Sequence, residues 1–346
     1  MNPPTSIPWL IYELLNETGE VSSGDVASAA GVTRQAAHYH LKRLVEAGEL
    51  RPIGAGRTRR YGRRFSWAQQ FDSEGLEEDT VWTQVSTEVA DLSQLGVDAV
   101  QVARYAFTEM LNNAIEHSGS EQVRVTVTTT SRPFIFVVTD EGVGAFEHVR
   151  RSKGLEDHIA AIQEISKGKL TTDPRRHSGQ GIFFTSKSVD LFSLASNGWR
   201  WTVDNTREDF TIGRTSLRKG TRVEFRIDPD IRRSLKDFMD EYTDPDTFEF
   251  ATSRTVVRLF DFDSSFMSRS EAKRLTRNLD RFGEVIVDFK GVEEVGQAFA
   301  DQIFRVWQSD HPETRLKPVN MNEGVRIMVA RAQAQLDLQG SAPSSE

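Results

Sequence analysis

One stretch of this sequence concentrates side chains that do chemistry. Within Phe107–His117, Glu109, Asn113 and His117 recur every fourth residue. A helix would therefore align a carboxylate, a carboxamide and an imidazole in one stripe. Glu109, one turn before Asn113, is placed to orient or deprotonate a water or an acceptor hydroxyl. The amide oxygen of Asn113 is a neutral, hard ligand suited to a divalent cation. Further on, Asp140-Glu-Gly142-Val-Gly144 sets a carboxylate before two glycines, and Ser178-Gly-Gln-Gly181 and Gly220-Thr221 follow. The chain has no Cys, so it has no thiolate nucleophile, no Cys-ligated metal and no disulfide framework.

Regular elements must carry these groups. Val100, Ala103, Phe107, Leu111 and Ala114 fall on one face of the same helix, beside the polar stripe. Val123, Val125 and Val127 alternate like a half-buried strand, and Phe134–Val138 delivers Asp140 to a strand end. A Phe-rich helix follows Gly181, a strand pair turns at Asn197-Gly198, and Gly220-Thr221 opens another strand.

The order of these segments resembles the GHKL superfamily of gyrase B, heat-shock chaperones, histidine kinases and MutL. Glu109, Asn113-Ala114 and His117 look like its N box, Asp140–Gly144 and Gly179–Gly181 like its two glycine boxes, and Gly220-Thr221 like its terminal box. The resemblance spans about 76–230 and implies a Bergerat-type α/β sandwich with a mixed sheet. It further implies ATP and Mg²⁺ as cofactors. Asn113 would ligate magnesium, Glu109 would be the catalytic group, and His117 and Thr221 would line the nucleotide. Asp140 would accept a hydrogen bond from the adenine amino group, with Gly142 and Gly144 clearing space for the base. Gly179 and Gly181 would let a helix N-terminus approach the phosphates, with Lys187 a further candidate contact. Residues 145–178 would form a lid. Among subfamilies, anti-sigma-factor kinases look most similar.

Residues 1–70 resemble a winged helix-turn-helix of α+β type. Three helical segments, the last capped by Thr33, precede a hairpin at Glu49–Phe65. Ser23 is the expected cap of the second. Between 34 and 64, nine basic residues face only Glu46 and Glu49, a net of +7 in a chain of net −8. That imbalance points to double-stranded DNA. Thr33, Arg34, Gln35, His38, Tyr39 and Lys42 would meet the major groove, and Arg57, Arg59 and Arg60, with Arg63 and Arg64 beyond them, would meet phosphates from the wing.

Residues 246–338 resemble the STAS domain of anti-sigma-factor antagonists, an α/β fold. Thr255–Phe260 and Val285–Asp288 read as strands and Ser268–Phe282 as a helix. Antagonists carry a phosphorylated Ser at the start of the helix after the second strand. Here Gly296, Gln297 and Ala298 stand there, and none has a hydroxyl. A protein-interaction surface is therefore expected rather than a phosphoacceptor.

Taken together, these segments describe an α/β multidomain chain of 346 residues, with 38% hydrophobic residues, enough to build cores and exclude wholesale disorder. No apolar run is long enough to span a membrane, and a cytoplasmic bacterial regulator is expected. In it, a nucleotide switch would act on a DNA-binding winged helix and a STAS-like partner-binding domain. Two alternatives stay open: a serine kinase acting on a separate STAS partner, and a slow ATPase that dimerises on ATP. A homodimer is compatible with either.

Overall fold

The computed structural model describes residues 7–64, 67–129, 133–168, 180–231, 234–242, 254–259 and 266–340. The chain forms two compact units, residues 1–154 with 184–235, and residues 155–183 with 236–346. Among the described residues, no helix is long and apolar enough to cross a membrane.

The first unit begins with helices α1 (Ile7–Thr18), α2 (Ser23–Ala30) and α3 (Arg34–Glu46). Ser22, not Ser23, caps α2: its hydroxyl accepts from the Asp25 amide while Asp25 returns the bond to Ser22, a reciprocal capping box. Thr33 caps α3 as expected, accepting from the Ala36 amide at 3.2 Å. Strands β1 (Glu20–Val21), β2 (Leu50–Ile53) and β3 (Arg60–Arg63) form a small antiparallel sheet in the order β1-β3-β2. Ile11, Leu15, Val26, Leu41 and Tyr61 are among the side chains of one buried cluster.

Seven strands make the main sheet: β4 (Trp67–Asp72), β5 (Gln122–Thr128), β6 (Phe134–Asp140), β7 (Leu191–Ser196), β8 (Trp199–Asp204), β9 (Asp209–Arg214) and β10 (Thr221–Ile227). Their order is β4-β5-β6-β10-β7-β8-β9. A mixed sheet was expected, but every pairing is antiparallel. The reason lies in the connections: β7 returns to β8 through Asn197 and Gly198, both at positive φ, and β10 enters between β6 and β7 against both.

Helices α4 (Glu78–Glu88) and α5 (Val97–His117) belong to the same unit, and α5 packs on β6 and β10. Trp82, Phe107, Phe136 and Phe225 join helix to sheet, with the last two rings stacked 5.1 Å apart. The buried stripe of α5 runs through Ala99, Val102, Ala103, Ala106, Phe107, Met110, Leu111 and Ala114. Val100, assigned to that stripe by spacing, is instead exposed. A helix held on both flanks buries a wider arc, so one row of positions misstates its centre.

After α6 (Ala145–Lys153), helix α7 (His158–Lys167) belongs to the second unit and packs against that unit's sheet. Of the segment expected to form a lid, α6 thus lies in the first unit and α7 in the second, and residues 169–178 lie outside the described residues. Helices α8 (Gly181–Ser188) and α9 (Leu235–Tyr242) fall where the chain passes between units. The second unit is a parallel sheet of β11 (Arg254–Arg258), β12 (Glu284–Asp288) and β13 (Arg315–Val319), in that order. Helices α10 (Arg269–Leu275), α11 (Gln297–Asp301), α12 (Gln308–Asp310) and α13 (Glu323–Gly340) accompany it, with a π-turn at Gln302–Trp307. The helix expected over Ser268–Phe282 is shorter, since Asn278 turns left-handed at φ 58° and a 3₁₀ turn follows. The α7 end is pinned by a buried Lys167–Glu164 pair at 2.6 Å, and Lys167 also donates to the Arg277 carbonyl.

Candidate functional site

The end of β6 and the start of β10 meet at Asp140 and Thr221, which are cross-strand partners. Asp140 is buried, and its carboxylate accepts from the Gly142 amide at 2.9 Å. Burial pushes its pKa up to about 6, against opposing hydrogen bonds from Gly142 and from the backbone and hydroxyl of Thr221. The Thr221 hydroxyl oxygen also accepts from the Ala145 amide at 2.9 Å, which ties the strand start to the base of α6.

The glycines here answer first to the protein itself. A Cβ on Gly142 would lie 2.0 Å from the Ser118 carbonyl oxygen at the end of α5. Gly144 has φ +88°, and a Cβ there would strike Asn197. That Asn197 side chain accepts from Glu147 N and donates to the Val143 carbonyl. Space for a base was the expected reason for both glycines; contact with Ser118 and Asn197 already demands them. Sequence reasoning read Asn197-Gly198 only as a turn and gave Ser118 no role. Nothing in their residue types announces such contacts.

The end of α5 meets the loop after β6, where the Ser118 carbonyl accepts from the Val143 amide. Glu109, Asn113 and His117 are all half-buried. The Asn113 Nδ2 is buried with no hydrogen-bond partner. A carboxamide offers a donor and an acceptor, so a bound oxyanion and cation could use both ends. His117 stacks on His148 of α6 at 5.3 Å between ring centres. Burial, then the His117 charge, lowers the His148 pKa. Glu109 sits close enough to Tyr105 for its carboxylate to add to the burial that raises the phenol. His148 carries no motif and escaped the sequence reading.

Glu109, Asn113, His117, Asp140, Gly142, Gly144 and Thr221 all belong to the first unit, and contacts join Asp140 to Gly142 and Thr221 and His117 to α6. Gly181 opens α8, while Gly179 lies outside the described residues. An acceptor carboxylate, an orphaned amide and a glycine-built turn form a donor set that fits an adenine nucleotide with a hard cation.

In the N-terminal domain, Thr33, Arg34, Gln35, His38, Tyr39 and Lys42 are exposed along α3, and Tyr39 is 58% accessible. His38 contacts the Tyr61 hydroxyl at 3.1 Å, and Lys42 pairs loosely with Glu46. Arg59 is exposed. Arg60 is committed to the fold, donating to the Glu20 carbonyl at 2.8 Å and to Asp25 at 3.3 Å. The Arg57 side chain lies outside the described residues. Arg63, counted among the wing arginines by sequence, is buried against Glu224 of β10 at 2.9 Å.

In the second unit, Gly296 caps α11 and its amide donates to the Phe266 carbonyl. A Cβ there would come within 2.7 Å of the Met267 backbone. Of the three hydroxyl-free positions where antagonists carry their phosphoacceptor, Gly296 thus has no room for a side chain, while Gln297 is exposed.

Three family models match separate stretches of the chain. Residues 76–203 match the histidine kinase-like ATPase domain. On either side of this ATPase-like domain, residues 8–64 match the C-terminal domain of the DIP2311-like transcriptional regulators, and residues 271–326 match a STAS-like domain of unknown function. No curated protein matches the chain.

Proposed function

We propose that the chain is a cytoplasmic transcriptional regulator in which Mg·ATP binding governs a DNA-binding winged helix and a STAS-like protein-binding domain. Its functional domains would be 1–70, 76–230 and 246–338. In the ATPase-like domain, Asp140 accepts from the adenine amino group and Thr221 holds Asp140 in place. Asn113 offers its amide oxygen to magnesium and its N–H to a phosphate oxygen, His117 lines the same wall, and Gly179 and Gly181 free backbone amides for phosphate. Magnesium, when bound, offsets phosphate charge. Glu109 holds or takes the proton of a water or hydroxyl.

The observation that carries the reading is on β10. Thr221, which fixes Asp140, lies three residues from Glu224, which grips Arg63 at the base of the wing. Chain connectivity supports the second output, because α7 lies in sequence between the two glycine boxes and packs on β11. Exposed Arg34, Gln35, His38, Tyr39, Lys42 and Arg59 form the DNA face.

Fluorescence anisotropy of the full chain on duplex DNA tests this. Affinity should fall steeply between 50 and 200 mM salt, by roughly a hundredfold or more if several phosphates are neutralised. Mg·ATP should shift it by about fivefold or more, the usual size of a coupling between sites. A flat salt response removes the DNA role, and an affinity indifferent to Mg·ATP removes the switch.

A further inference from the structure

On the sheet face opposite Asp140 and Thr221 lies a polar cleft of about 700 Å³. One cross-strand row crosses it: Arg124 on β5, Thr139 on β6 and Arg222 on β10 are direct partners. Residues facing each other across strands point to the same face, so the two arginines flank Thr139 about 10 Å apart. Lys219 closes one side, and Glu121 and Glu141 also line the cleft. Among the described residues, the side chains of Arg124 and Lys219 have neither hydrogen bond nor ion pair. The Arg222 Nε is buried without a partner, and its nearest carboxylate, Glu224, is 3.7 Å from Nη2.

This arrangement is short of negative charge. Arg222 is held down to about 10 by burial and by the charges of Arg63 and Arg200, with Glu224 opposing. Glu224 balances Arg222 only in part, since Arg63 and Arg226 each approach one of its oxygens at 2.9 Å while Arg222 stands 3.7 Å away. A bound anion would restore balance. The volume falls in the range of small-molecule sites. Glu121 and Glu141 would repel a continuous phosphate backbone, yet their oxygens accept from hydroxyl groups.

We propose that this cleft binds a small molecule combining anionic oxygens with hydroxyls, a hydroxycarboxylate or a sugar phosphate. Arg124, Lys219 and Arg222 would take the anionic groups and Glu121 and Glu141 the hydroxyls. Thr139, Glu141 and Arg222 are the chain neighbours of Asp140 and Thr221, so the ligand would press on the strands that form the nucleotide site from behind. The site stands on its own residues, whatever occupies the front face.

Isothermal titration of the full chain with citrate and, separately, ribose 5-phosphate tests it. At least one probe should bind saturably at one site, and which one binds distinguishes carboxylate from phosphate. Arg124→Gln and Lys219→Gln change exposed side chains and should keep the native circular dichroism. Each should weaken binding by about tenfold or more, the worth of a charge-assisted hydrogen bond. Absence of saturable binding by both probes overturns the proposal, as does unchanged affinity in Arg124→Gln. A matching loss of duplex-DNA affinity in Arg124→Gln assigns the cleft to the DNA backbone and overturns it equally.

Discussion

Arg63 of β3 donates to Glu224 of β10 at 2.9 Å, with both side chains less than a tenth exposed. Tyr12 of α1 sits beneath the pair, its ring 4.9 Å from the Arg63 guanidinium and 4.7 Å from that of Arg226. Arg222 and Arg226 approach the same carboxylate. Burial alone would raise the Glu224 pKa, but Arg63, Arg226 and Arg222 outweigh it and hold it well below the usual range. One carboxylate thus joins the N-terminal three-stranded sheet to the seven-stranded sheet.

Glu224→Gln leaves several buried guanidinium groups without their counter-charge. It should cost about 3–5 kcal/mol in urea unfolding. Arg63→Met should cost less, because Glu224 keeps Arg226 at 2.9 Å. Because the Glu224 pKa is depressed, its contribution is present above the ordinary value of 4.5 and fades as pH falls below it. A near-neutral Glu224→Gln variant would mean that the pair does not join the two sheets.

Asp140 works in the opposite sense. Its pKa is raised from 3.8 to about 6, so its ionisation opposes folding, and stability is lost as pH rises across that window. Only the ionised oxygen accepts freely, so adenine-nucleotide affinity should be full above pH 6 and weaken as pH drops through it. Titrations at pH 5, 6 and 7.5 check the midpoint. In Asp140→Asn that inflection should vanish; an inflection that survives belongs to another group.

Gly296→Ser would supply the hydroxyl that this STAS-like domain lacks, but its Cβ would meet the Met267 backbone at 2.7 Å. Overpacking of this kind costs roughly 1–3 kcal/mol. Chemical denaturation should register that loss, and Gly296→Ala should match it. A fully stable Gly296→Ser variant would show that the loop yields.

The readable parts of this molecule were those where residue type and spacing are themselves the signal. Asp140 before Gly142, the four-residue stripe of α5 and the Thr33 cap all have short-range causes, and the basic excess of residues 34–64 falls within the segment that matches a transcriptional-regulator domain. What escaped depended on distant partners. Arg63 reads as one more basic wing residue until Glu224, 161 positions away, is beside it. The mixed sheet came from the family resemblance, whereas strand direction is set by β10 entering between β6 and β7, which local alternation cannot reveal. Likewise the bond from Lys167 of α7 to the Arg277 carbonyl joins positions 110 apart, which local spacing cannot announce.

The central claim is that Asn113 and Asp140 frame a magnesium-nucleotide site, and calorimetry of the full chain tests it most directly. Titrating ATP with magnesium into the native protein should give a saturable one-to-one heat. In Asn113→Ala, with circular dichroism unchanged, that heat should disappear. Equal heats from the two proteins, or none from the native chain, would contradict the site.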